Sequence, residues 1–218
     1  MPNWCYTDFI VFGSAEDITR FREAVRGSDD NGETPVDFNR VIPMPSELRG
    51  TDADFGTAYS VYYGDAARIL ATPWVKNLGI ETVEQLREQI DADPKHRATA
   101  DQQKANIEKY GAPTWYEWNC EHWATKWNAC DTEVTEYGSG SLHVQFDTAW
   151  DFPFPIFEKL VSDFPTLDFE GSAYEPNMDF YIKFEERNGE FARDDDDDAR
   201  KADAARFDDE EESAEVTA

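Results

Sequence analysis

The sequence predicts an α+β domain in which an antiparallel sheet carries helices on one face. Three observations lead there. The stretch Trp4–Phe12 is apolar on both of its faces, which suits the middle of a sheet. Four later stretches alternate apolar and polar residues with the period of a strand. Between the strands lie segments with the three-to-four-residue apolar spacing of helices.

In Trp4–Phe12, Trp4, Tyr6, Ile10 and Phe12 alternate with Cys5, Phe9 and Val11, so both sets need cover. Gly13 and Ser14 break the strand. Ser14 and Asp17 form a variant capping box for a helix to about Arg26, with Ile18, Phe21, Ala24 and Val25 as its apolar face. After the loop GSDDNGETP comes a short piece, VDFNRVIPMP, read as extended and stopped by its two prolines.

Residues 46–112 read as a helical insertion. Thr82 and Gln85 form a capping box for the helix TVEQLREQI, DADPKH is a turn, and ATADQQKANIEKYG is a helix closed by Gly111. Thr114, with Glu117 three positions on, then caps a helix that reads WYEWNCEHWATKWNACD. Continued at about 100° per residue, it places Tyr116, Cys120, Trp123, Trp127 and Cys130 on one buried stripe. Glu117, Glu121, Thr125 and Asn128 lie opposite, and His122 falls beside Trp115 and Trp118. Cys120 and His122 therefore do not face each other, and they cannot easily share a metal or a proton. A zinc site needs about four ligands, and the chain has neither CxxC nor HxxxH spacing, so no metal and no cofactor is expected.

Two alternating strands follow, DTEVTEYG and SLHVQFDTAW, joined through GSGS as a hairpin. FPFPIFEKLVSDFP supplies a helix, and TLDFEGSAYEP and MDFYIKFEER supply two more strands. In the last of these, Phe180, Ile182 and Phe184 are expected to face in and Tyr181, Lys183 and Glu185 out. The order β-α-(insertion)-α-β-β-α-β is that of a ferredoxin-like split βαβ arrangement. The domain spans residues 1–187, with the insertion at 46–112. Residues 188–218 are acidic and poor in large apolar side chains, which predicts a disordered tail.

The 218 residues hold 47 acidic and 20 basic side chains, a net charge of −27. Such a charge repels nucleic-acid backbones and anionic membranes, so neither is expected as a direct partner. Acids scattered along a Lys-poor chain suit a protein that lives in concentrated salt. Acids gathered on one surface would suit a mimic of DNA phosphates, and both features occur here. Three cysteines suggest no disulfide framework. The start MPNWCYTDFIVFG has no basic leader region, and no apolar run reaches the ~18 residues of a membrane helix. A soluble protein of the cytoplasm is expected.

One candidate for chemistry stands out. His143, Gln145 and Asp147 share one face of a strand, and His143 with Asp147 would make an acid/base pair. A solvated sheet face gives the same alternation without chemistry, and no nucleophile accompanies the pair. Lys126, flanked by aromatics, either snorkels across Trp123 and Trp127 or pairs with an acid such as Asp147. No phosphate-binding Gly loop, GxSxG elbow or HExxH is present.

Four short motifs are shared, in order, with a known family: MPNWC at Met1–Cys5, IPMP at Ile42–Pro45, WATKWNA at Trp123–Ala129 and FDTAW at Phe146–Trp150. Together they make the chain resemble the YubB-like family of plasmid and phage proteins, which carry a ferredoxin-like domain. That family usually has Gly where this chain has Ala124. The resemblance implies a fold and a mobile-element setting more than a reaction, and it brings no catalytic residues. Trp4, Cys5, Trp123, Lys126, Trp127, Asp147 and Trp150 are its structural signature here. The implied role is a non-enzymatic accessory protein that acts on a host or element protein, for instance by blocking a defence system. A small hydrolase or nuclease using His143 and Asp147, and an acidic DNA mimic, are the competing readings.

Overall fold

The computed structural model describes residues 3–29, 32–52, 56–137, 140–177, 180–187 and 190–194. The chain forms two compact units, one from Met1–Pro43 with the chain from Glu121 onward, the other from Met44–Cys120.

Strand β1, Trp4–Phe12, buries Cys5, Thr7, Phe9 and Val11 and leaves the alternate residues half-buried. The Ser14 hydroxyl then accepts from the Asp17 backbone N–H at 3.1 Å and donates to the Asp17 carboxylate at 2.9 Å, capping α1, Ala15–Val25. Ile18, Phe21 and Val25 are its buried residues. Two three-residue strands pair next, β2 (Gly27–Asp29) and β3 (Gly32–Thr34). The piece read as extended is in fact a short helix, α2, Phe38–Val41. Asp37 decides this, because its buried carboxylate accepts from the Asn39 backbone N–H at 2.9 Å and from Asn128 Nδ2 at 2.8 Å. The prolines come too late to prevent the turn and only end it.

The Met44–Cys120 unit is helical. A 3-10 turn at Ser46–Leu48 leads to α3 (Thr57–Tyr63), α4 (Ala66–Leu70), α5 (Pro73–Asn77), α6 (Val83–Asp91) and α7 (Pro94–Tyr110). Val61, Val75, Leu86 and Ile90 form its own apolar core. Thr82 and Gln85 make the capping box, and Gly111 ends α7 at a φ of 79°. The expected turn DADPKH is shorter than its sequence suggests. Asp93 caps α7 and Pro94 occupies its first position, where proline's missing N–H costs nothing.

Helix α8 runs only from Trp115 to Trp123, where the sequence suggested a helix to Asp131. Ala124 stops it by adopting a φ of 61°. The stripe differs too. Trp118, Asn119 and Trp123 are buried and Trp115 and His122 half-buried, the i, i+3, i+4, i+7, i+8 face of this shorter helix. Tyr116 and Cys120, expected in the core, are exposed. Thr125, expected opposite, is buried. Extending a 100° rotation past a residue that leaves the helix misplaces everything beyond it.

Strands β4 (Cys130–Glu136) and β5 (Ser141–Ala149) follow, then α9 (Phe154–Asp163), β6 (Asp168–Glu175), β7 (Phe180–Arg187) and β8 (Glu190–Asp194). Part of the GSGS joint, residues 138–139, lies outside the described residues. So does most of the stretch read as a disordered tail, residues 188–189 and 195–218. Strand β8 corrects that reading at its start, since pairing along β7 gives its backbone hydrogen-bond partners.

The six-stranded sheet has the order β4-β5-β1-β6-β7-β8 with every pair antiparallel. β1-α1-β4 is one split βαβ unit with β5 between its strands, and β5-α9-β6 is a second with β1 between. That interleaving is the ferredoxin-like fold, and β7 and β8 extend one edge. On the inner face the Phe9 ring lies 6.1 to 6.4 Å from those of Phe146, Phe157, Phe169 and Phe184. The other face holds Tyr6, Asp8, Ile10, His143, Gln145 and Asp147, half-buried, with Lys183 and Glu185 exposed. Tyr181, expected to face out, is buried, in one cross-strand row with Tyr174 and Tyr6. No helix among the described residues is long and apolar enough to cross a membrane.

Candidate functional site

The end of the sheet where β1 begins and β5 stops is tied to the chain that leaves α8. Trp4 pairs in register with Ala149. The Thr125 hydroxyl donates to the Ala149 carbonyl at 3.0 Å and accepts from the Ala149 N–H at 3.2 Å. This double bond across a buried site brings the residues after Thr125 against those after Ala149. Lys126 Nζ lies 4.1 Å from the centre of the Trp127 ring and 6.0 Å from that of Trp150, within cation–π reach of both. The rings of Trp4 and Trp127 are 6.0 Å apart. Trp127 is 37% exposed and Trp150 45%.

The backbone here is held against its own preference. Among the described residues, three non-glycine positions have positive φ: Ala124 at 61°, Asp131 at 46° and Trp150 at 79°. Trp150 belongs to this patch, and Ala124 and Asp131 lie two and four residues from Lys126 and Trp127, respectively, in sequence. Each such position costs roughly 1–3 kcal/mol and persists only where its surroundings enforce it. At Trp150 the enforcement includes a hydrogen bond from its N–H to the Asn3 carbonyl at 3.0 Å. Strain of this kind concentrates where a side chain must be presented rather than packed.

The signature residues thus divide. Cys5 is buried, and burial chiefly pushes its thiol up to about 12, so it is inert near neutral pH. Trp123 is buried, donating from Nε1 to the Ile42 carbonyl at 2.9 Å and lying 5.8 Å from the Phe38 ring. Trp4, Lys126, Trp127 and Trp150 make the surface patch. Asp147 is half-buried, in register with Tyr6 on one side and Cys130 on the other.

The proposed acid/base residues take different places from those the sequence suggested. His143 Nε2 lies 2.8 Å from Asp8 Oδ1, and Gln145 Nε2 donates to Asp8 Oδ2 at 2.9 Å. Asp147 is four residues along the same strand from His143, about 13 Å at a strand's rise. Asp8 was missed by the sequence reading. Its signal was there: it is the one acid within a strand otherwise apolar on both faces. Ser172 pairs with Asp8 from the other side, two strands from His143, about 10 Å away and too far for a hydroxyl–imidazole bond. A His–Asp pair orients an imidazole and fixes which of its nitrogens faces the carboxylate. No group of three or more His, Cys, Asp or Glu among the described residues could hold a metal ion.

Residues 122–217 match the family described as the ferredoxin-like domain in Api92-like protein. This stretch is similar to that family's domain and shares its ferredoxin-like fold. It takes in Lys126, Trp127, Asp147 and Trp150, while β1, with Trp4 and Asp8, precedes it. The chain is also similar to a crystal structure of the protein Api92 from Yersinia pseudotuberculosis. That similarity has 12% identity and a TM-score of 0.47, and covers 90% of this chain and 99% of the other. Among curated proteins none matches the sequence.

Proposed function

We propose that this Api92-like chain is a non-enzymatic accessory protein of a plasmid or phage. It works in the cytoplasm of a salt-loving host by binding another protein, for instance one of a defence system. The observation that carries the binding half is the patch of Trp4, Trp127 and Trp150 around Lys126. Trp127 and Trp150 are exposed indoles, a residue type enriched in interaction hot spots, and Trp150 keeps a left-handed backbone at its own cost. The mobile-element half rests on the four shared motifs, and the high-salt host on the net charge of −27. The alternative, a hydrolase or nuclease using His143 and Asp147, is disfavoured because His143 is engaged by Asp8 instead.

The test is genetic and direct. His143→Ala and Asp147→Ala should leave the element's maintenance in its host unchanged, while Trp127→Ala with Trp150→Ala should impair it. Loss of the phenotype in the first pair, with the fold intact, would sink the proposal in favour of an enzyme.

A further inference from the structure

We propose that the indole patch receives an arginine-bearing segment of a basic partner protein. This deepens the binding-module reading and rests on it. The first argument is charge. The chain carries −27, and exposed acids lie near the patch residues in sequence, Asp151 next to Trp150 and Asp131 at the start of β4. A partner of opposite sign is drawn to such a surface and an acidic one is repelled.

The second argument is the chemistry of the rings. Lys126 already shows the geometry, a cation 4.1 Å from the centre of Trp127. Trp150 lies farther from it, at 6.0 Å, and is the more exposed of the two indoles, so its face is the one offered to a second cation. Arginine suits that place better than lysine. Its guanidinium is planar and weakly hydrated, stacks on an indole and still presents a fork of N–H donors to a carboxylate. Asp151, which follows Trp150 in the chain, and Asp131, at the start of β4, are both exposed carboxylates and are the candidates for that second contact.

The third argument is the backbone. Both Trp150 and Asp131 occupy left-handed conformations, at φ of 79° and 46°. The same two residues that would supply ring and carboxylate are therefore the ones held at a conformational cost. Stacking on a ring and a partly desolvated ion pair also resist screening better than long-range attraction does. Such a site works in molar salt, where a diffuse acidic surface would attract little.

The experiment follows the indole N–H signals of the full-length protein by NMR in molar KCl, assigned from Trp127→Phe and Trp150→Phe. The probe is a peptide of alternating glycine and arginine, compared with its lysine and glutamate counterparts. The arginine peptide should shift the Trp127 and Trp150 signals and leave those of buried Trp118 and Trp123 in place. The lysine peptide should bind several-fold more weakly. Trp150→Ala should weaken arginine-peptide binding roughly tenfold, in line with one lost cation–π contact. Asp131→Asn keeps the indoles and suits a left-handed residue, so it should fold normally and also weaken binding. No shift with the arginine peptide, or an equal or larger response to the glutamate peptide, overturns the proposal. If that happens while His143→Ala and Asp147→Ala retain the phenotype, the accessory function stands and only the partner chemistry falls. If instead those variants lose the phenotype while the arginine peptide binds, the site stands and the non-enzymatic reading falls.

Discussion

The indole of Trp123 donates from Nε1 to the backbone carbonyl of Ile42 at 2.9 Å, so the last residue of α8 closes onto the chain just past α2. Trp123 is fully buried against Phe38, whereas Trp127, one turn further in sequence, is 37% exposed. Trp123→Ala should cost ~3–5 kcal/mol, from lost burial, a cavity and an unpaired carbonyl. Trp127→Ala should cost ~1 kcal/mol or less, since at this exposed site it removes only partial contacts with Trp4 and Lys126. Urea denaturation of the two variants measures the difference. Equal losses would mean that Trp127 belongs to the core after all.

Ala124 leaves the helix at a φ of 61°, where an L side chain is strained. Ala124→Gly should raise stability by ~1 kcal/mol, read as a higher urea midpoint at unchanged slope. A lower midpoint would show that the methyl group contributes packing that outweighs the strain.

Gly171 in β6 has the opposite requirement. A Cβ there would lie 2.3 Å from the Asp8 carbonyl oxygen and 2.3 Å from the Phe9 Cβ. Since the obstacle is partly backbone of the central strand, it cannot swing aside. Gly171→Ala should cost ~1–3 kcal/mol. A wild-type melting temperature would count against this β1–β6 register.

The thiols should separate cleanly. Cys120 is exposed and Cys5 is buried, with its thiol pushed up to about 12. At pH 8 iodoacetamide should modify Cys120 in the native protein and Cys5 only on unfolding, as mass spectrometry would show. Because the folded protein holds the Cys5 proton more tightly than the unfolded chain, with its ordinary value near 9, this contribution to stability is complete below pH 9. It is lost as pH rises toward 12. Native labelling of Cys5 as fast as Cys120 would refute the burial.

Salt should stabilise the fold. With a net charge of −27, self-repulsion favours expansion at low ionic strength and screening relieves it. The melting temperature should rise markedly from low to molar KCl. A flat curve would argue against a high-salt host and shift weight to the reading as a DNA mimic.

The sequence by itself determined strands β1 and β4–β7 and helices α1, α6, α7, α8 and α9 in their order, the central position of β1 and the caps at Ser14, Thr82 and Gly111. Each rests on a local signal: two apolar faces, a capping pair, a residue free to turn left-handed. Those signals act within a few residues and survive any tertiary setting. Only the tertiary structure decided the site. Asp37 turned an apparently extended segment into a helix because Asn128, some ninety residues away, helps to hold its carboxylate. Ala124 ended α8 early, and Thr125 then fastened the following residues to the end of β5, so that Trp127 and Trp150 came to the surface instead of the core. Asp8 found His143 on the neighbouring strand, a pairing set by register and not by spacing along the chain. Contacts between residues far apart in sequence carry no periodicity, which is why the patch and the Asp8–His143 pair had to be seen folded.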